Sequence, residues 1–187
     1  MARIEMTSAT PDDPVLAKMF DDVRARGITL PNLYRVLGAS PEMLKAWLDF
    51  AWSLRLDAKT PRGLRELMIM RGAQLSGVAY EWAHHWPMAK TAGVSEEKLL
   101  ELSNWRKSSL FSEGERAALL VTDEISIGPG ASEEAVNHLK EHFAESEVVE
   151  LTLTLSFYVC VSRLLNTLDV DIEPEYVDHA TTMPSTP

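Results

Sequence analysis

Cysteine is nearly absent. The 187-residue chain has one, Cys160, so no intrachain disulfide can form and no pair of thiols can cycle between dithiol and disulfide. That usage fits a reducing compartment, and the expected location is the cytoplasm. Positive charge is also scarce. Against 28 Asp and Glu stand 18 Lys and Arg, a net charge of −10. With no Lys/Arg-rich block, this disfavours nucleic acid or an anionic membrane as partner. No long apolar run is present either. The longest apolar-rich stretch, Val148 to Val161, is broken by Glu150, Thr152, Thr154 and Ser156, which reads as too short and too polar to span a bilayer. The opening M-A-R-I-E-M-T-S-A-T-P-D-D lacks the apolar core of a secretory signal. No internal repeat and no Asn-Gly or Asp-Gly hairpin signal occurs.

What is there is ordinary globular composition, 45% apolar and 25% charged, sufficient for one domain with a sizeable core. Residues 1–187 read as a single domain. Its folded core spans about 15–172, between ends that read as loose, T-S-A-T-P-D-D-P and T-T-M-P-S-T-P.

Helix-start signals recur. Ser40-Pro41 and Thr60-Pro61 place a cap before a proline at the first helical position. Ser112 to Glu115 forms a capping box, and Ser95, Ser132 and Ser146 each precede acids. Gly93 marks a stop. The spacing predicts helices over roughly 14–25, 31–38, 41–55, 61–75, 79–92, 96–104, 113–126, 133–143 and 147–168. The fold class is all-α. One segment argues otherwise: V-E-L-T-L-T-L-S-F-Y-V alternates with period two like a strand. A single strand without a partner makes no sheet, and V-S-R-L-L-N-T-L after it has helical spacing, so it reads as a buried helix.

The chemistry concentrates between Arg65 and Gly93. Glu66 shares a helical face with Ile69, Met70 and Ala73, and Glu81 shares one with His84, His85 and Met88. A carboxylate or imidazole on a buried face must be paired, or it shifts its pKa until neutral. Each such group is a satisfied core pair or part of a site.

The same stretch carries a resemblance. R-E-L (65–67), Y-E-W-A-H-H (80–85), A-K-T-A-G-V-S (89–95), F-S-E-G-E-R-A-A-L (111–119), T-D-E-I (122–125) and Y-V-C-V-S-R-L-L-N-T-L (158–168) occur in order. Over about residues 15–172 the chain resembles the carboxymuconolactone decarboxylase family, which includes the AhpD-like alkylhydroperoxidases. The peroxidase branch is built on E-x(11)-C-x-x-C-x-x-x-H. Laid on this chain, the Glu falls on Glu66 and the His on His85, while the cysteine positions fall on Val78 and Glu81. The resemblance therefore implies an AhpD-like helical bundle that forms homo-oligomers, commonly trimers or hexamers. It points to the decarboxylase branch, in which CO2 leaves a carboxylated unsaturated lactone and a proton reaches carbon without a redox cofactor. The alternatives are a non-catalytic small-molecule-binding or interaction protein of the same fold and, against the missing thiols, a peroxidase.

On this reading His85, Glu66 and Glu81 are the candidate catalytic residues. His85 acts as general acid/base, Glu66 orients it, and Glu81 serves as a second carboxylate. The bland counterpart is a structural pair joining two helices. Tyr80, Trp82, Trp86 and Arg71 are candidate substrate contacts: a hydrogen-bond donor, an aromatic wall and a carboxylate grip. For the tryptophans the counterpart is core packing, and for Arg71 or Arg65 a local ion pair. Pro87 inside its helix predicts a kink. Cys160 reads as an inert core thiol, and His84 as a surface or partner contact. The Glu81–His84 spacing suits a di-metal bundle, but no second E-x-x-H exists, so no metal is expected. The expected partners are a small-molecule substrate and other copies of the chain. With no thiol pair, the protein should not consume peroxide in a dithiol-coupled assay. Turnover that disappears in Cys160→Ser would overturn this.

Overall fold

A computed structural model describes residues 2–185, and among them no strand occurs. The helices are α1 (Pro14–Arg24), α2 (Asn32–Leu37), α3 (Pro41–Leu56), α4 (Arg62–Ser76), α5 (Ala79–Thr91), α6 (Glu96–Leu100), α7 (Glu113–Ile127), α8 (Glu133–Lys140), α9 (Glu145–Leu168) and α10 (Val177–Ala180), with 3-10 turns at Glu101–Asn104 and Pro174–Tyr176. The alternating segment lies inside α9. Its period-two pattern reflects a helix buried on several sides, whose apolar positions need not follow one stripe.

Helix α4 is the centre. Every residue from Leu64 to Gln74 is buried, and its faces serve three apolar clusters. Ile69 joins α1, α2, α3 and α9. Leu67, Met70 and Ala73 pack with Trp82, Trp86, Leu99 and Trp105. Leu64 and Met68 meet α7, α8 and α9 through Ala117, Leu139, Leu151 and Leu155. Helix α9 is longer than its apolar run and, by length and composition alone, would pass for a membrane span; half of its most apolar window is buried inside the fold, as in a core helix. That departs from the sequence reading of a segment too short and polar to span.

Side chains cap several helices where their sequence signals stand. Asp13, Ser95, Ser112 and Ser132 accept from backbone N–H groups of the first turn. Ser40 and Thr60 do not cap. The Glu150 carboxylate of α9 instead accepts from the N–H groups of Lys59 (2.8 Å) and Thr60 (2.9 Å), tying the start of α4 to α9. The cap of α9 falls on Ala144 rather than Ser146, and Glu147 accepts from the Ala144 N–H at 2.9 Å.

Parts of both described ends are tied to the body of the fold, and Thr186 and Pro187 of the stretch read as loose lie outside the described residues. Near the start, the Arg3 N–H donates to Leu168 O (2.8 Å) and the Thr7 N–H to Arg35 O (3.1 Å). Near the finish, Thr182 Oγ1 accepts from Trp82 Nε1 at 3.0 Å, and Pro184 O accepts from Gln74 Nε2 at 3.2 Å. Helix α10 packs on α5. Cys160 is exposed rather than a core thiol. It sits on the side of α9 shared with exposed Leu153 and Ser156.

The turn between α4 and α5 sets up the site. Gly77 takes the left-handed conformation, φ 63°, and the Val78 N–H returns to Ala73 O at 2.9 Å, a Schellman closure. A Cβ on Gly77 would meet nothing within 4 Å, so the conformation alone demands glycine. Gly77→Ala should cost about 1–2 kcal/mol in urea denaturation; an unchanged midpoint would show that the turn tolerates a side chain.

Candidate active site

The turn folds α5 back along α4. Glu66 lies just under three turns before Ser76 and His85 just under two turns after Ala79, and the two side chains meet across the helix pair. Glu66 Oε2 stands 2.7 Å from His85 Nδ1. On the other side of the ring, His85 Nε2 is 3.0 Å from Glu81 Oε1, one turn earlier on α5. The remaining Glu66 oxygen, Oε1, is held by Arg62, also one turn away. Glu66 is 0% exposed, His85 2% and Glu81 4%. The row Arg62–Glu66–His85–Glu81 alternates in charge when the imidazole is protonated, and it closes with no net charge.

That alternation fixes the protonation state. Burial pulls the His85 pKa down, but the Glu66 charge, Tyr158 and the hydrogen bonds of both carboxylates push it up to about 10. Burial favours a neutral Glu66, yet the charges and hydrogen bonds of His85 and Arg62 hold its pKa below the ordinary carboxylate range. The stable form is an imidazolium that donates to a carboxylate on each side.

A cavity of about 70 Å³ opens on this row, and both His85 and Glu81 line it. Its walls come from the 28–34 segment, α3, α5, α9 and Tyr176. The expected aromatic wall is real, but other residues build it. Trp47 of α3 meets Phe157 of α9 with ring centroids 4.7 Å apart, and the Tyr158 ring stands edge-on to His85 at 4.9 Å.

A second acidic centre closes one side. His84 Nε2 lies 2.6 Å from Glu173 Oε2. Its ring stacks between Tyr80 (4.4 Å) and Tyr176 (4.0 Å). Glu173 Oε1 accepts from the Tyr80 hydroxyl at 2.9 Å and from the Asn32 N–H. Burial raises the Glu173 pKa, and hydrogen bonding and charge from His84 more than reverse this. His84 is thus a buried partner of the C-terminal segment, not the surface contact read from the sequence.

The sequence-predicted residues divide. Glu66, His85 and Glu81 come together. Tyr80 reaches the cavity, but its hydroxyl is committed to Glu173 and to the Leu33 N–H (3.2 Å), so its ring rather than its proton faces the cavity. Trp82 and Trp86 do not reach it. They lie on the other side of α5, in the cluster with Leu67, Leu99 and Trp105, where the Trp82 indole N–H meets Thr182. Arg71 does not reach it either. It forms a two-point pair with Asp123, Nε to Oδ1 at 2.7 Å and Nη2 to Oδ2 at 3.3 Å, and donates to Gln74 and Leu102. On an α4 buried all round, each charge found its nearest acceptor, and Asp123 lies away from the cavity. The sequence reading missed Arg55, Tyr34, Tyr158, Trp47, Glu173 and Tyr176. The Arg55–Tyr158 and His84–Glu173 contacts span 103 and 89 residues, and no local spacing encodes them. Among the described residues, the one group of three or more side chains placed to share a metal ion is His138, Glu141 and His142 at the end of α8, none of which lines the cavity.

Residues 41–124 match the model of the Carboxymuconolactone decarboxylase family. Over that stretch the chain is similar to the family. The uncharacterized protein YdfG of Bacillus subtilis (strain 168) is 27% identical over 119 residues, 63% of this chain and 80% of the relative. An AhpD-core, uncharacterized peroxidase-related protein from Ralstonia eutropha JMP134 superposes with a TM-score of 0.80 at 18% identity, covering 94% of each chain. The debrominase Bmp8, as a cysteine-to-alanine variant in complex with 2,3,4-tribromopyrrole, superposes with a TM-score of 0.78 at 20% identity, covering 97% of this chain and 96% of that one. These likenesses establish the AhpD-like helical fold. Within the family frame, Val78 is the buried residue just ahead of α5, and Glu81 is the acid on His85.

The pair makes stability depend on pH. The raised His85 contributes fully below its unfolded value near 6.5, and its share fades as the pH climbs through about 10. The lowered Glu66 contributes above the ordinary value near 4.5 and loses its share as the pH falls through the depressed one. The thermal-stability gap between the wild type and a Glu66→Gln, His85→Gln double variant should therefore be widest between about pH 4.5 and 6.5 and narrow steadily toward pH 10. A gap that is flat with pH would contradict a charged pair.

Proposed function

We propose that the cavity beside His85 is the active site of a cofactor-free lyase acting on a small carboxylated lactone or unsaturated acid. The observation that carries this reading is an imidazolium clamped between two carboxylates with its Nε2 side open to a cavity. The pair fronts a space that mixes apolar and aromatic walls, Trp47 and Phe157 among them, with polar groups such as Arg55, Tyr34 and His84. Glu66, anchored by Arg62, holds the ring and its charge. Glu81 shares the Nε2 proton and faces the cavity. In the decarboxylation, the C–C bond to the carboxylate breaks and CO2 departs. The electron pair moves into the conjugated carbonyl, and the His85–Glu81 pair returns a proton to carbon. The pair then regains a proton from water.

The complex of the debrominase with 2,3,4-tribromopyrrole supports a compact unsaturated ring as a ligand type for this fold. No cysteine lines the cavity of this chain, which favours proton chemistry over thiol chemistry here. Self-association belongs to the same reading. Met43, Phe50, Leu56, Val149 and Leu153 expose apolar side chains on α3 and α9, a surface that a second copy would cover.

The test is CO2 release from a panel of carboxylated lactones and unsaturated acids in D2O. One deuterium should enter the product at the protonated carbon. Glu81→Gln and His85→Gln should each lower kcat by about 10²–10⁴-fold while keeping the helical circular dichroism of the wild type. Undiminished turnover in both variants would remove these residues from the chemistry. Panel binding without turnover in the wild type would make the protein a binding module.

A further inference from the structure

One cation in the cavity has no counter-ion. Arg55 closes α3 and lines the cavity with Tyr34, Tyr158 and His85. Its Nε donates to Tyr158 Oη at 3.4 Å and its Nη1 to Tyr34 Oη at 3.1 Å. The guanidinium lies over the Trp52 ring, 5.3 Å from the centroid. It pairs with no carboxylate among the described residues. The other buried or cavity-side cations are provided for: Arg71 by Asp123, Arg62 by Glu66 and His85 by both Glu66 and Glu81. Arg65, which is buried, is spent on the Leu54 carbonyl.

Phenol oxygens accept hydrogen bonds but carry no charge, so two of them orient a guanidinium without neutralising it. A guanidinium offers five N–H donors in a planar fork. Two are engaged here, and the Nη2 amino group makes no hydrogen bond within the described residues. Arg55 is half-buried, and a permanent charge partly withdrawn from water gains when an anion arrives with the ligand. Tyr158 links the two ends of the cavity: its ring edge touches His85, and its hydroxyl receives Arg55.

We propose that Arg55 is the specificity residue of the cavity and binds a carboxylate of the ligand, with Tyr34 and Tyr158 holding its fork in position. This rests on the reading of the cavity as a substrate site and names the chemistry that the site selects. The ligand class is a small flat anion, its carboxylate at the Arg55 end and its unsaturated body against Trp47 and Phe157. An uncharged analogue of the same shape would leave the half-buried charge unanswered.

The test measures binding alone, so it stands whether or not turnover is ever found. The probes are 2-furoate and its uncharged amide, 2-furamide, followed by NMR titration of the full chain. The wild type should prefer 2-furoate by about tenfold or more. The Arg55 Nε–H resonance should move with 2-furoate and stay with 2-furamide. Arg55→Met should erase the preference, and Arg55→Lys should keep part of it, because the charge remains and the fork is lost. His85→Gln should retain it, which separates anion recognition from the proposed acid/base chemistry. Equal affinity for the two probes in the wild type would overturn the proposal. So would a preference that survives in Arg55→Met or an Arg55 resonance indifferent to 2-furoate. Should Arg55→Met fail to fold, the resonance and the probe preference of the wild type decide the matter alone.

Discussion

A carboxylate in the middle of a helix that has no solvent face is the constraint around which this protein is arranged. Glu66 has no exposed surface, and α4 is enclosed by three apolar clusters. A lone ion there would be strongly unfavourable. It exists because Arg62 takes one oxygen and His85 the other, and His85 can do so only because the Gly77 turn lays α5 against α4. The imidazole is charged in turn chiefly because the Glu66 carboxylate sits on its first nitrogen, with Glu81 adding a hydrogen bond at its second. Each member answers the need created by the one before. The row ends at the cavity because Glu81 is its last member.

The same requirement explains why the chain's final segment is ordered. Tyr80 and His84 sit on α5 one turn apart, each with a polar atom turned inward, and α4 offers them no partner. Glu173 meets both and also accepts from the Asn32 N–H at the start of α2. Tyr176 then covers the exposed face of the His84 ring. One carboxylate therefore joins α2, α5 and the C-terminal segment, and it shapes the rim of the cavity while leaving the His85–Glu81 pair facing inward. His84 and His85 both line the cavity, and they differ in their acids: Glu173 also ties Asn32 and Tyr80, whereas Glu81 meets the His85 ring.

Much of this was legible in the residues, and the division is physical. Helix periods, caps and the Gly77 break are local, so the helices from α1 to α9 and the pairing of α4 with α5 could be read. Glu66, His85 and Glu81 stood out as ionisable groups on apolar faces, with family spacing to register them, but that they meet in one row is shown by the fold alone. The tryptophans misled because spacing says which residues share a helical face, not which neighbour that face meets. Trp82 and Trp86 flank the histidines in sequence and point to a different cluster in space. Arg71 was a fair candidate on chemistry, but its partner Asp123 lies 52 residues on. Arg55, in contrast, looks like any arginine near a helix end, where a cation is favourable for the helix dipole. Only the fold shows that its partners are two phenols in a cavity. The strap from 173 to 184 was unreadable for a related reason: its short helix is held by contacts with α2, α4 and α5, not by its own propensity.

The substitution of Glu81 for the thiol expected by the peroxidase pattern changes the reagent but not its position. One turn before His85 on the same face of α5, any side chain is directed at His85 Nε2 and the cavity. A thiol there would be a nucleophile that transfers electrons through a disulfide, and it would need a second thiol at the position of Val78. Val78 instead is packed into the core beside Ile69 and Tyr80, so no resolving partner stands ready. A carboxylate at Glu81 cannot undergo that cycle, but it can hold and release a proton, and it pairs with the His85 ring. The AhpD-like helix pair thus works as a fixed mount, two helices joined at a left-handed glycine with a buried acid and a histidine clasped across them. In this chain the mount carries an acid one turn before the histidine, facing the cavity.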